Sequence, residues 1–274
     1  MFIMPKASTK FEQSVCMKEY VDKYKKMEIQ FFKECPGSIE INVEEVIDRY
    51  VKEFDVNEIT IHPPLCNFDI EYLLLRDENF VDNLIDRLII LSKKHNIKIN
   101  ILFHTNLNSE ELIYGIAPKI KKCLEKINDE NILILVENLF LNPDKEICSI
   151  IEFCDYINHP KLKVCLDICH IRAKANLFKE EIIDFINHFI DKEKAKRHVY
   201  QIHFSYVANN DGYIDKSTHG IAHPNKDSLI EDVNILEYIG IENKVVVTEI
   251  GEFDYFTRLG QKQEIKWLEE VFNF

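Results

Sequence analysis

Lys163 to Ile171 reads KVCLDICHI. Val164, Leu166 and Ile168 place apolar side chains at alternate positions over a short run, which predicts a buried strand. Asp167 and His170 lie within it, three residues apart. A carboxylate buried alone is costly, so Asp167 requires a cation or strong donors. Side chains three apart on a strand point to opposite faces. The two share one site only if the strand ends between them and the chain turns. That puts both at the C-terminal rim of the strand, where α/β enzymes carry their chemistry. The competing reading of this stretch alone is a salt-bridged structural Asp beside an incidental His.

On both sides of the stretch, strand and helix patterns alternate. Short apolar or alternating runs predict strands over Phe2–Ile3, Met27–Phe32, Glu58–Ile61, Lys98–Phe103, Ile132–Val136, Leu162–Leu166, Val199–Ile202 and Lys244–Val247. Helical periodicity covers Phe11–Lys26, Val43–Phe54, Phe80–His95, Ser109–Ile127, Asp144–Ile157, Glu180–Ile190, Ser228–Ile239 and Gln261–Phe272, with Pro118 as an expected kink. Helical connections suit parallel strands, and eight such units in 274 residues predict one closed (β/α)8 barrel spanning 1–274. No linker or low-complexity tract divides the chain.

Six successive predicted strands finish at His62, His104, Glu137, Asp167 with His170, His203 and Glu249. In a parallel barrel all these ends lie on one rim. Imidazole and carboxylate are ligands for zinc, manganese, iron or magnesium. A cluster of carboxylates there would repel itself unless cations were bound. A single strand-terminal His would be unremarkable; this many point to a metal site. The loop Asp211–His223, DGYIDKSTHGIAH, offers further candidates. His219 is read as functional, and His223 as either functional or solvated. Asp211 and Asp215 suit a solvated loop. His95, His159, His188 and His198 fall within or beside helices or in turns and are read as packing or surface residues.

Composition narrows the classes. The chain is 46% hydrophobic, enough for a large core, yet no apolar run reaches the length of a membrane span. The N-terminus lacks the order of a signal peptide, and eight scattered Cys form no CxxC. Both suggest a cytoplasmic protein with buried thiols. A net charge of −13 argues against a general polyanion binder.

The strand-end residues resemble the xylose isomerase-like TIM barrels, the superfamily of endonuclease IV and the sugar isomerases and epimerases. VCLDICH is similar to the family's Cys-Leu-Asp-x-x-His motif at strand six. LVEN (Leu135–Asn138), QIHFS and VVTEI resemble its strand-five Glu-Asn, strand-seven His and strand-eight Glu motifs. The resemblance covers about Met27 to Glu249. It implies a metal at Glu137, Asp167, His203 and Glu249. The endonuclease IV branch adds His62 and His104 for a second metal, and His170 with His219 for a third. In that third site Ser217 stands where the family has Asp, leaving Asp215 or His223 as substitutes. The DNA-contacting loops also depart from the pattern: Pro63-Pro64-Leu65, Thr105-Asn106, Leu139-Phe140-Leu141 and Ser205-Tyr206 replace the family's residues.

The resemblance therefore implies two or three divalent ions per chain, zinc first, with manganese or iron as alternatives. The first implied activity is phosphoester hydrolysis by a metal-bridging hydroxide, with Glu137, Glu249 and His170 as catalytic residues. Its substrate would be a small phosphoester; the altered loops speak against DNA. The alternative is a one-metal sugar or sugar-phosphate isomerase or epimerase, in which Glu137 and Glu249 move protons. A third is an iron-dependent oxidative enzyme.

Overall fold

A computed structural model describes residues 2–8, 10–31, 39–62, 78–105, 107, 109–138, 149–178, 180–207, 220–251 and 256–273. The strands are β1 (Phe2–Met4), β2 (Lys6–Ser8), β3 (Lys26–Gln30), β4 (Glu58–His62), β5 (Lys98–Thr105), β6 (Ile132–Asn138), β7 (Leu162–Asp167), β8 (Val199–Phe204) and β9 (Val245–Thr248). They form one sheet in the order β1-β9-β8-β7-β6-β5-β4-β3-β2, and every pairing between neighbours is parallel.

The first strand is one strand in two pieces. β1 pairs with β9 and β2 pairs with β3. Pro5 lies between them, has no N–H for a ladder and so interrupts the pairing. Its carbonyl still accepts from Glu28 N at 2.9 Å. The broken strand joins both edges of the sheet, which makes the (β/α)8 barrel expected from the alternation. The short first strand extends further than the apolar Phe2-Ile3 pair suggests, because Lys6 and Ser8 are polar but buried.

Helices cover the outside: α1 (Lys18–Tyr24), α2 (Ile39–Glu53), α3 (Glu78–His95), α4 (Ala117–Lys126), α5 (Ser149–Ile157), α6 (Ile168–Phe178), α7 (Ile182–Phe189), α8 (Lys192–His198), α9 (Lys226–Ile239) and α10 (Leu259–Phe272). Among the described residues no helix is long and apolar enough to cross a membrane. The expected kink at Pro118 takes the form of a π-helical turn, Leu112–Ile116, just before α4. Proline cannot donate to the carbonyl four residues back and its ring crowds that carbonyl; a widened turn relieves both. Glycine is scarce, so asparagine as well as glycine follows helices in the left-handed conformation. Asn96 (φ 53°) follows α3, Asn158 (φ 49°) follows α5, and Gly240 (φ 80°) follows α9. Asparagine tolerates this region better than most side chains.

Alternation along each strand sorts residues into two layers. Ile29, Ile59, Ile61, Ile99, Ile101, Ile134, Val136, Val164, Leu166, Ile202 and Val246 belong to the large cluster packed against the helices. The intervening residues face the barrel axis. One part of the interior is apolar, with Leu102, Leu133, Leu135 and Cys165 in one cluster and Met4, Val245 and Val247 in another, both touching Tyr200. The other part is polar: Lys6, Glu28, Glu58, Thr60, Asn100 and Gln201 are all buried.

A second buried ionic cluster pins the helix layer. His223 is buried after the loop that follows β8. Its Nε2 lies 3.0 Å from Asp232 of α9, and its Nδ1 and backbone N both lie 2.6 Å from Glu264 of α10. Arg172 of α6 pairs with Asp232. A carboxylate accepts only, so each ring nitrogen donates and the ring is an imidazolium. Burial opposes that charge, but Asp232 and Glu264 overcome it and push the pKa up to about 9.

This network predicts a pH dependence of stability. Because the folded-state pKa of His223 is raised, its contribution is complete below about pH 6.5 and is lost as pH rises through about 9. The contribution is on the order of 3 kcal/mol. Denaturant unfolding between pH 7 and 10 checks it: wild type loses stability over that window, and His223→Gln starts lower and shows a flatter profile.

Candidate metal centre

The site stands at the C-terminal ends of the strands. β4 ends at His62, β5 carries His104, β6 carries Glu137, β7 ends at Asp167, β8 carries His203, and Glu249 follows β9. Register aligns them, with His104 opposite Glu137 and Asp167 opposite His203. Helix α6 begins at Ile168 directly after β7. Asp167 therefore sits at the helix N-terminus, where its Oδ1 accepts from His170 N at 2.9 Å, as an N-cap side chain does. The strand does end between Asp167 and His170, and both reach the same rim: His170 Nε2 lies 3.2 Å from Asp167 Oδ2. Asn138 clamps this corner, donating to Asp167 O (3.1 Å) and accepting from Asp167 N (2.8 Å).

The side chains form three adjoining groups whose ligand atoms lie within 4.8 Å of one another: His62, His104 and Glu137; Glu137, Asp167, His203 and Glu249; and Glu28, His62 and His203. In the first, His62 Nε2 and His104 Nε2 are 3.2 Å apart, and His104 Nε2 is 3.2 Å from Glu137 Oε2. In the second, His203 Nδ1 is 2.8 Å from Glu137 Oε1 and 2.7 Å from Glu249 Oε2. Glu137 thus turns one oxygen toward each group. In the third, Glu28 joins His62 Nδ1 through Oε1 and His203 Nε2 through Oε2, both at 2.9 Å. Lys6 completes the set. Its ammonium contacts Glu249 Oε1 and lies 3.5 Å from Glu28 Oε1.

Electrostatics explains how so many charges coexist. Burial disfavours ionisation of Glu28, Glu137 and Glu249, yet their cationic neighbours, His203 foremost, hold all three carboxyls well below the usual range. Burial opposes a charge on His203 as well. Cys165 and the carboxylates of Glu137, Glu249 and Glu28 outweigh it and raise the pKa well above that of a free imidazole. Lys6 is likewise raised against its burial by Glu249 and Glu28. His62 is lowered, first by burial and then by Lys6. Burial pushes His170 down to about 4, so it is neutral at pH 7.

The donor set fits divalent metal ions. Imidazole and carboxylate are zinc, manganese and iron ligands. Glu137 Oε2 is buried and makes no hydrogen bond, although it faces two imidazole nitrogens. His62, His104, Glu137, Asp167, His170, His203 and Glu249, all expected from strand ends, converge here. Among the described residues His170 joins no third ligand group of its own. His219, Asp211, Asp215 and Ser217 lie outside the described residues, as do Pro63-Pro64-Leu65, Asn106 and Leu139-Phe140-Leu141. His223 is described and does not substitute in a third site, because both its nitrogens are committed to Asp232 and Glu264.

Two site residues escaped the sequence reading, Lys6 and Glu28. In KMEIQ, Met27 and Ile29 alternate with Glu28 and Gln30. That pattern reads as one apolar and one solvent-facing side. In a barrel the second side faces the axis. The signal was present in the alternation, once both faces of a barrel strand are counted as buried.

Residues 23–270 match the family model described as xylose isomerase-like TIM barrel. Comparison with curated proteins finds no match. Among solved structures, the chain is similar to a D-tagatose 3-epimerase-like protein (18% identity, 98% of each chain covered, TM-score 0.61). It is also similar to an AP endonuclease, family 2 from Brucella melitensis (14% identity, 98% of each chain, TM-score 0.59). A third is the IOLI protein with a binding zinc atom (12% identity, 98% of this chain and 96% of that one, TM-score 0.61). At these identities the structural likeness speaks for the fold. With the family model spanning nearly the whole chain, the protein belongs to the xylose isomerase-like TIM barrel family, a family of enzymes.

Proposed function

We propose that the chain, acting as one domain over 1–274, is a metal-dependent hydrolase of small phosphoesters that works with two divalent ions, zinc first. The observation that carries this reading is Glu137, whose Oε1 and Oε2 face different ligand groups. His62, His104 and Glu137 would hold one ion, and Glu137, Asp167, His203 and Glu249 the other. Bound there, two such ions would lower the pKa of water and offset charge on phosphoryl oxygens.

The chain's own residues do the rest. Asn138 and the α6 N-terminus fix the Asp167 carboxylate at the rim. Glu249 is the most exposed of the ligand carboxylates, at 14%. His203 and Lys6 hold it as a carboxylate, which suits it to hold a cation at the edge of the site. His170 is neutral, so one ring N–H can orient a leaving oxygen without adding charge. Of the loops that depart from the DNA-contacting pattern, Pro63-Pro64-Leu65, Asn106 and Leu139-Phe140-Leu141 lie outside the described residues, whereas Thr105 and Ser205-Tyr206 are described, with Tyr206 bridged to Ile221. The net charge of −13 supports a small substrate over a polyanion. Buried thiols at Cys154, Cys165 and Cys169 support a reducing, cytoplasmic setting.

A second reading rests on one further observation. Glu137, Asp167, His203 and Glu249 alone make a complete four-ligand group. One ion there would suit a sugar isomerase or epimerase, with the two glutamates moving protons.

Metal analysis separates the two. Wild type is expected to hold two ions per chain, and His104→Ala one. Hydrolysis of a chromogenic phosphoester should fall at least ~100-fold in the variant. A single ion in wild type, retained by His104→Ala, together with turnover of ketose sugars, would establish the second reading. Proton release gives a further check. His203 carries a proton on Nδ1 when no metal is bound, and a ligand must be deprotonated. Zinc uptake in weakly buffered solution at pH 7 to 8 should therefore release protons. His203→Gln should release fewer.

A further inference from the structure

The group formed by Glu28, His62 and His203 has a different character from the other two. His62 turns Nε2 toward His104 and Glu137, and His203 turns Nδ1 toward Glu137 and Glu249. Their other nitrogens, His62 Nδ1 and His203 Nε2, both meet Glu28. A metal ion at this inner group would require both imidazoles to bridge two ions as imidazolates. The position already has a cation: the ammonium of Lys6 lies 3.5 Å from Glu28 Oε1 and 3.4 Å from His62 Nδ1, and contacts Glu249.

We infer that Glu28 is the positioning residue for both metal sites at once, and that Lys6 is its built-in counter-cation. This rests on the two-metal reading above. One carboxylate accepts from an imidazole of each site. It thereby engages His62 Nδ1 and leaves Nε2 facing the first group, and engages His203 Nε2 and leaves Nδ1 facing the second. Such an outer carboxylate also makes the imidazole a stronger donor to the metal.

The carboxylate is itself rigidly held. Gln201 donates through Nε2 to Glu28 Oε2 at 2.8 Å. Thr60 donates to Gln201 Oε1 (2.8 Å), and Asn100 donates to Thr60 Oγ1 (3.0 Å) and to Glu58 Oε1 (2.8 Å). This chain of hydrogen bonds runs down the barrel interior away from the metal sites, on strands β3, β4, β5 and β8. Each link is buried, so slack at Glu28 would strand a polar group without a partner. Glu28 itself is fully buried, which excludes direct contact with substrate and fits a positioning role.

The test is zinc affinity, measured for each ion by competition with a chelating dye, on wild type, Glu28→Gln, Glu28→Asp and Glu264→Gln. Glu28→Gln keeps the shape but loses the negative charge. It is expected to weaken both ions by about 10–100-fold. Glu28→Asp keeps the charge but is one methylene too short to span the two rings; it too should weaken both, and serves if Glu28→Gln does not fold. Glu264→Gln removes a different buried carboxylate beside a histidine. It should lower thermal stability and leave both zinc affinities unchanged. Unchanged affinity for either ion in the Glu28 variants, with two ions in wild type, overturns this role and leaves the two-metal reading standing. Fewer than two ions in wild type overturns both.

Discussion

The structure depends on how buried charge is offset at the end of the barrel. Four carboxylates, Glu28, Glu137, Asp167 and Glu249, meet His62, His104, His170 and His203 in a space where nearly all are buried. Leaving one member of such a set unpartnered costs several kcal/mol. Without a metal ion, the Lys6 ammonium and the proton on His203 provide the offset. A divalent ion would take over the proton's part, while the ammonium is covalently fixed to β2. The donor set fits divalent ions, and the ammonium and the proton stand where part of their charge would be.

The barrel makes this possible by giving each strand two buried faces. The outward face packs Ile, Val and Leu against helices, and that apolar layer supplies the bulk of the hydrophobic driving force. The inward face is then free to carry polar groups, provided each finds a partner. Gln201, Thr60 and Asn100 meet that condition by bonding one another in series. Closure of the sheet through the strand broken at Pro5 brings Lys6 between Glu28 and Glu249, residues far apart in sequence.

The same side-chain types meet different fates according to what surrounds them. His203 and His223 are both buried and both lie between carboxylates. Those of His203 are shared with other imidazoles at a strand end and form part of a group that could hold a metal ion. Those of His223 come from two helices and close around it completely. The first arrangement suits exchange of a proton for a metal ion. The second is a structural tie between α9 and α10, sensitive to pH and separate from the chemistry.

By itself the sequence determined the strand–helix alternation, the barrel class and most of the rim. The periodicity of Ile, Val and Leu exposes the outward faces, and polar residues at strand ends stand out because a strand that stops at His or Glu breaks its own apolar pattern. His62, His104, Glu137, Asp167, His170, His203 and Glu249 were legible on that ground. Only the tertiary structure decided what lies along the axis. Glu28 sits mid-strand, where alternation with Met27 and Ile29 is the same for a solvent face and for a barrel interior. Lys6 follows a proline in a strand too short to show a period. The fate of His223 was likewise undecided, because its partners lie 9 and 41 residues away in sequence and they set the direction of its ring nitrogens. Local pattern records which residues are buried; which charges are buried together depends on how the sheet closes.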